Sequence, residues 1–414
     1  MKITAVETFL MHAGSPPATT IATTQTRQSG SVWHARNWLF VRIQTDAGIS
    51  GLGECSGWPR VIETAVRDLA PLLVGQDPTH IERLWNRMFA AIMGHGMLGT
   101  VGAGAMTGID MALWDIKGKA LNTPVWNLLG GKVRDRIRVY GHASTPERAR
   151  DLVDRGFTAI KTGGVARPVE QVAAIREAVG PDIDLMIDSH GPPWLTTKDA
   201  IRLGRALEPY DLLFYEDPVP PENRDGLARV QDAVDIPIAA GERRATIWGE
   251  RDLIEREIVD VIQPDTGRAG GITQMRKIAA LAEAHFITVA PHSGSLGPVA
   301  EYAALHLLAA IPNALILERV EDDVAVRDAV ISPVPRVIDG HIMVPNAPGL
   351  GVEIDQTVVA ANPSLGNVSI PGAPDDGAYA PGTWDEHVYV QARLRRARYF
   401  AGGGAGGGRG RGDG

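Results

Sequence analysis

A single cysteine in 414 residues, Cys55, excludes an intrachain disulfide and agrees with a reducing compartment. It sits in GLGECSG at a strand end and reads as a small packed residue rather than a nucleophile. Long apolar stretches are missing too. No run reaches the roughly 18 residues of a membrane-crossing helix, so no membrane partner is expected. Positive charge is in deficit: the net charge of −8 gives no reason to expect nucleic acid or an anionic lipid surface. The opening MKITAVETFL carries Glu7 and alternates like a strand, unlike a secretion signal, and a cytoplasmic protein is expected. What remains is 44% hydrophobic and 22% charged, ordinary for a soluble globular chain, and long enough for one large core or two domains.

The first 60 residues read as β: ITAVETFLMH, a polar Thr/Ser/Gln-rich stretch, then NWLFVRIQTDAGISGLGEC, in which TDAG supplies a turn. Residues from about 61 to 130 carry helical spacing, with Met106, Ile109, Ala112, Leu113 and Ile116 on one face and GG at 130–131 as a stop. This part is α+β.

From about residue 136 short apolar strands alternate with helices. The strands are IRVYGHA (137–143), AIKTGG (159–164), DLMIDSH (184–190), LLFYEDP (212–218), IPIAAGE (236–242), VDVIQPD (259–265), ITVAPHS (287–293) and ALILERV (314–320). Eight strands with intervening helices predict an α/β fold of the (β/α)8 barrel type. No regular helix closes the array after the eighth strand. IDGHIMVPNAPGLGVEID instead reads as strand and turn returning to the first domain, and residues 401–414 form a low-complexity Gly/Arg tail expected to be disordered.

Barrel active sites lie at the C-terminal ends of the strands. The third, fourth and fifth strands end in Asp188, Glu216 and Glu242, 28 and 26 residues apart. Three carboxylates brought together repel unless a cation joins them, and oxygen donors without a thiolate suit Mg2+. The alternative is that each acid merely caps a loop. The sixth strand offers Asp265 and the seventh His292, a carboxylate–imidazole pair suited to a general base. His190 shares a strand face with Asp188 by the two-residue period and is the candidate general acid. Glu318, on the eighth strand, could bond a substrate oxygen if protonated, or form a structural salt bridge with a nearby Arg. Lys161, on the second, could hold an anionic substrate. A metal beside an acid and a base suits removal of a proton α to a carboxylate followed by loss of a β-hydroxyl, the strategy known for enolase-type sites.

The blocks DSHG, AGER, IQPDTGRAGGIT and APHSGSLGP, with ALWDIKGKALNTPVWNLLGG and GLGVEID, resemble the mandelate racemase subgroup of the enolase superfamily, and most closely its D-galactonate dehydratase-like acid-sugar dehydratases. The resemblance spans roughly 350 residues. It implies Mg2+ on Asp188, Glu216 and Glu242, a base dyad of Asp265 and His292, and His190 as the acid. It also implies a modified TIM barrel, (β/α)7β, under a capping domain built from both ends of the chain, and a homo-oligomer. The division that follows is 1–130 for the α+β cap, 131–340 for the barrel, 341–400 completing the cap, and the tail. Racemases of the subgroup carry Lys-x-Lys on the second strand, whereas Lys161-Thr162-Gly163 lacks the second lysine. That favours dehydration of an aldonate to its 2-keto-3-deoxy acid. A sugar-lactone or anhydro-sugar cycloisomerase and a non-catalytic barrel remain open. Arg27, His34, His95 and Arg243 are candidates for reading the distal part of a sugar acid.

Overall fold

The computed structural model describes residues 1–13, 37–93, 99–165, 167–190, 194–293, 296–321, 324–364 and 389–390. Arg27, His34, His95 and the Gly/Arg tail lie outside them.

Alternating apolar residues fold the start of the chain into an antiparallel meander, β1 (Ile3–His12), β2 (Asn37–Thr45) and β3 (Ser50–Cys55). The predicted TDAG turn joins the last two, with Gly48 at φ 73°. Helices α1 (Pro59–Leu69), α2 (Ile81–Met93), α3 (Gly99–Ala120) and α4 (Val125–Leu128) follow. The single apolar face expected of α3 is an understatement, because the helix is buried on nearly all sides between the meander and the barrel. Glycines allow that approach: a Cβ on Gly53 would stand 2.0 Å from the Gly108 carbonyl oxygen. Cys55 is packed in this core, where burial pushes its thiol far up, out of nucleophilic range.

Eight parallel strands then form the barrel: β4 (Arg136–His142), β5 (Ala159–Gly163), β6 (Asp184–Asp188), β8 (Leu212–Glu216), β9 (Ile238–Ala240), β10 (Val261–Ile262), β11 (Thr288–Val289) and β12 (Leu317–Glu318). A short strand, β7 (Trp194–Leu195), lies outside the ring after β6. β12 pairs with β4, and the Val289–Ala314 bridge joins the seventh strand region to the eighth. Seven helices link the strands: α5 (Pro146–Asp154), α6 (Pro168–Val179), α7 (Thr197–Leu207), α8 (Arg224–Gln231), α9 (Thr246–Glu255), α10 (Gly271–Ala284) and α11 (Pro298–Ala310). The architecture is (β/α)7β. Among the described residues no helix is long and apolar enough to cross a membrane.

The chain after the barrel does not follow the simple division at residue 340. Helix α12 (Val324–Val330) and strand β13 (Ile331–Ser332) place Val330 and Ile331 in the cap core. Strands β14 (Val337–Ile338) and β15 (His341–Met343) return to the barrel, where β15 pairs antiparallel with β4 and Ile342 joins the barrel core. Strand β16 (Glu353–Ile354) pairs with β13, and α13 (Gln356–Ala361) leads to the Met11–Pro363 bridge on β1. Strand β17 (Tyr389–Val390) pairs with β7, beside the barrel rather than in the cap. β14 and β15 pair as a local hairpin, whereas β15–β4, β16–β13 and the Met11–Pro363 bridge join segments apart in sequence and lace the two cores together.

Candidate active site

One residue in or directly next to each of the eight strands fills the barrel interior: Tyr140, Ala159, Met186, Phe214, Ala239, Val261, Ala290 and Ile316. Side chains two residues further along face the same way. That next layer is His142, Lys161, Asp188, Glu216, Gly241, Gln263, His292 and Glu318. The floor of the site is thus set by the apolar plug beneath it.

Asp188 and Glu216 stand side by side, register partners across β6 and β8. On the fifth strand Gly241 occupies the layer, and its φ of 138° turns the chain so that Glu242 follows. A Cβ there would meet Gln263 N at 3.1 Å and Glu250 Oε2 at 3.2 Å. All three acids are buried. Lys161 Nζ lies 3.0 Å from both Glu216 oxygens, 3.5 Å from Asp188 Oδ2 and 2.8 Å from Glu318 Oε1. Burial works against its charge, but Glu216 and Glu318 hold its pKa well above the usual lysine range. Gln263 Nε2 donates to Glu216 Oε2 at 2.9 Å.

His292 is clamped at both nitrogens. Nδ1 lies 2.6 Å from Asp265 Oδ2 and Nε2 lies 2.9 Å from Glu242 Oε2. Asp265 Oδ1 accepts from Gly267 N at 2.8 Å, and the Arg268 guanidinium stands 3.3 Å from Oδ2. Burial disfavours the imidazolium, yet Glu242 and Glu318 raise its pKa well above the ordinary value. The strand carrying Asp188 ends at that residue, so His190 is not its strand neighbour as the two-residue period suggested. The loop folds back instead: His190 N donates to Asp188 Oδ1 at 3.0 Å and Nδ1 forms an ion pair with Oδ2 at 2.7 Å. The Asp188 charge raises the His190 pKa to about 9.

Of the two roles read for Glu318, the structure shows an ion pair, with Lys161 rather than an arginine as its partner. Glu318 accepts from Lys161 and His142, each at 2.8 Å, and from Ser293 N at 2.6 Å. Burial raises its pKa, but Lys161 and His292 more than offset this and hold it well below the carboxylate range, so it is an acceptor with no proton to give. Arg243 pairs with Asp217 and, at 2.8 Å, with Glu242, and lies 5.0 Å above the Trp194 ring. His142, Gln263, Asp217 and Arg268 were not singled out from sequence. Applying the two-residue period to every strand would have found the first two.

Asp188, Glu216 and Glu242 could hold a divalent cation. As the side chains stand, no three acids, histidines or cysteines among the described residues are arranged to hold a metal ion, because each acid faces a cationic neighbour. The donor set nevertheless fits Mg2+: three carboxylate ligands from adjacent strands, with no thiolate among them. Burial, and after it the charge of Asp188, pushes Glu216 up to about 8 despite Lys161 beside it.

Residues 6–130 match the family described as mandelate racemase / muconate lactonizing enzyme, N-terminal domain, and residues 144–358 match the enolase C-terminal domain-like family. A D-galactonate dehydratase of Ralstonia nicotianae is 38% identical over 350 residues, covering 78% of this chain and 90% of that protein. The protein of the same name from Ralstonia pickettii is 37% identical over the same shares. The crystal structure of the 3,6-anhydro-D-galactonate cycloisomerase from Zobellia galactanivorans superposes with a TM-score of 0.78 at 33% identity, covering 87% of this chain and 99% of that one.

Proposed function

The chain belongs to the enolase superfamily, in its mandelate racemase / muconate lactonizing enzyme branch, and on that premise we propose that it is a Mg2+-dependent hydro-lyase. Its substrate is an open-chain sugar acid, an aldonate such as D-galactonate, and its product the 2-keto-3-deoxy acid. One observation carries the reading: His292 on the seventh strand and His190 after the third stand on opposed walls of the barrel, with the acid cluster between them.

His292 Nε2 takes the proton from C2, next to the substrate carboxylate. Asp265 accepts from Nδ1–H at 2.6 Å, which fixes the ring, and Nε2, paired with Glu242 at 2.9 Å as the side chains stand, would be the reacting nitrogen with Glu242 engaged by a cation. The C2–H electron pair forms the C2–C3 double bond while the C3–O bond breaks. His190 supplies the proton with which the C3 hydroxyl leaves as water, and the enol becomes the 2-keto acid. Mg2+ on Asp188, Glu216 and Glu242 would neutralise the charge that grows on the carboxylate as the proton leaves. Lys161, engaged with Glu216 and Glu318, adds fixed positive charge. Thr162 and Gly163 follow it, so a second base for racemisation is missing.

The likeness to a cycloisomerase supports a second reading, in which the same base acts and His190 protonates a ring oxygen instead of a hydroxyl. The test is proton exchange at C2 in D2O, followed by NMR with Mg2+ and a panel of aldonates. His292→Asn should abolish both exchange and product. His190→Asn should keep exchange and lose water elimination; dehydration surviving in that variant would refute the assignment of the acid.

A further inference from the structure

We propose that His142 is a substrate-binding residue that accepts a hydrogen bond from a sugar hydroxyl and thereby selects acids that carry a hydroxyl at a distal carbon. The inference rests on the dehydratase reading above and specifies the substrate of the same site.

His142 closes the ring of side chains above the barrel plug, at the C-terminal end of β4, beside Lys161 in the strand register. Its Nε2 lies 2.8 Å from Glu318 Oε1. Glu318 already receives Lys161 Nζ and the Ser293 amide, and a carboxylate so placed can only accept. Nε2 must therefore carry the proton, which assigns the tautomer by the network around it. In the neutral ring Nδ1 then offers a lone pair, and it has no partner among the described residues. Tyr140 meets the ring edge-on, with centroids 5.8 Å apart, and keeps its plane fixed. The side chain is 36% exposed where the barrel opens, unlike the buried Lys161 and Glu318 around it. Around the ring, His142 is two strands from His292 and on the far wall from Glu242. A substrate whose C2 and C3 lie between His292 and His190 would bring a more distal carbon to it.

A lone-pair acceptor discriminates by chemistry. A hydroxyl can donate to Nδ1. A deoxy carbon and an ionised carboxylate cannot. A site built to bond a hydroxyl rejects the analogue that lacks it.

The experiment compares wild type, His142→Phe and His142→Gln with Mg2+ on C5 and C6 aldonates, on 4-, 5- and 6-deoxy analogues of the best of them, and on a 3,6-anhydro aldonate. His142→Phe should lower kcat/KM about ten- to a hundredfold on the hydroxylated acid. On one deoxy analogue the wild type should already show that loss, and the variant should lose little more, as expected for two partners of one bond. His142→Gln keeps a donor for Glu318 and offers its amide oxygen as an acceptor, so it should recover part of the loss on the hydroxylated acid and little on the deoxy analogue. An equal loss on every analogue would assign His142 a purely structural role and overturn the proposal. So would an unchanged His142→Phe in a protein that dehydrates aldonates. A wild type that turns over no open-chain aldonate would instead overturn the dehydratase reading, and this inference with it.

Discussion

Replacing Asp265 by Asn isolates the base. Asp265 is fully buried, and its two oxygens do different work: Oδ2 takes the His292 Nδ1–H at 2.6 Å while Oδ1 takes the Gly267 amide at 2.8 Å. An amide has one acceptor. If its oxygen stays on Gly267, its NH2 faces Nδ1, and His292 must turn that nitrogen into an acceptor and carry its proton on Nε2. The reacting nitrogen is then blocked. In the serine-protease triad, which the same logic describes, this change costs about 10^4 in kcat. The Arg268 guanidinium, 3.3 Å from Asp265 Oδ2, would also face the amide NH2, so some of the effect could relax if the amide turns over. A loss of about 10^3 to 10^4 in C2 proton exchange is expected, with KM moved far less because Asp265 bonds the base rather than the acid cluster. Fold disruption is checked by the melting temperature. A variant that exchanges within tenfold of wild type, correctly folded, would refute the assignment of this dyad as the base.

Other consequences lie elsewhere in the molecule. Chelation should lower the melting temperature and Mg2+ should raise it, while Glu216→Gln should lose the Mg2+ response; an equal response in that variant would remove Glu216 from the ligand set. Gly241→Ala forces an L side chain to φ 138° beside Gln263 N and should cost on the order of 1–3 kcal/mol while displacing Glu242, read as a lower melting temperature and weaker Mg2+ stabilisation. His306, fully buried, receives the Trp126 amide at Nδ1 (3.2 Å) and donates from Nε2 to the Leu350 carbonyl (2.9 Å), and burial pushes its pKa down to about 4. Between pH 6.5 and 4 the unfolded chain binds this proton and the folded one does not, so stability falls as pH drops through that window, by about 3 kcal/mol in all. His306→Gln should flatten the melting profile there; an unaltered profile would contradict it.

The barrel was legible because parallel strands buried on both faces are written as short apolar runs, and eight of these alternate with helical spacing. Their ends were not. The continuous ladder of the sixth strand covers only Val261–Ile262, Asp265 pairs with His292 through an isolated bridge beyond it, and Glu242 reaches the site through the turn at Gly241. Sequence names the residue types at a strand end, not the lateral bonds between strands. For that reason the contact of Lys161 with Glu216, the Gln263 bond to Glu216 and the His142–Glu318 pair were out of reach. The alternation of segments 324–364 between the two cores was hidden for the same reason, since β13, β15 and β16 each pair with a strand apart in sequence.

The central claim meets its most direct test in one assay: purified protein, Mg2+, and D-galactonate together with other C5 and C6 aldonates, with 2-keto acids trapped by semicarbazide. The account predicts a Mg2+-dependent 2-keto-3-deoxy acid from at least one aldonate, absent with His292→Asn and with chelator. Product that forms equally with chelator, or with His292→Asn, would contradict it, and so would a full panel that yields neither product nor exchange at C2.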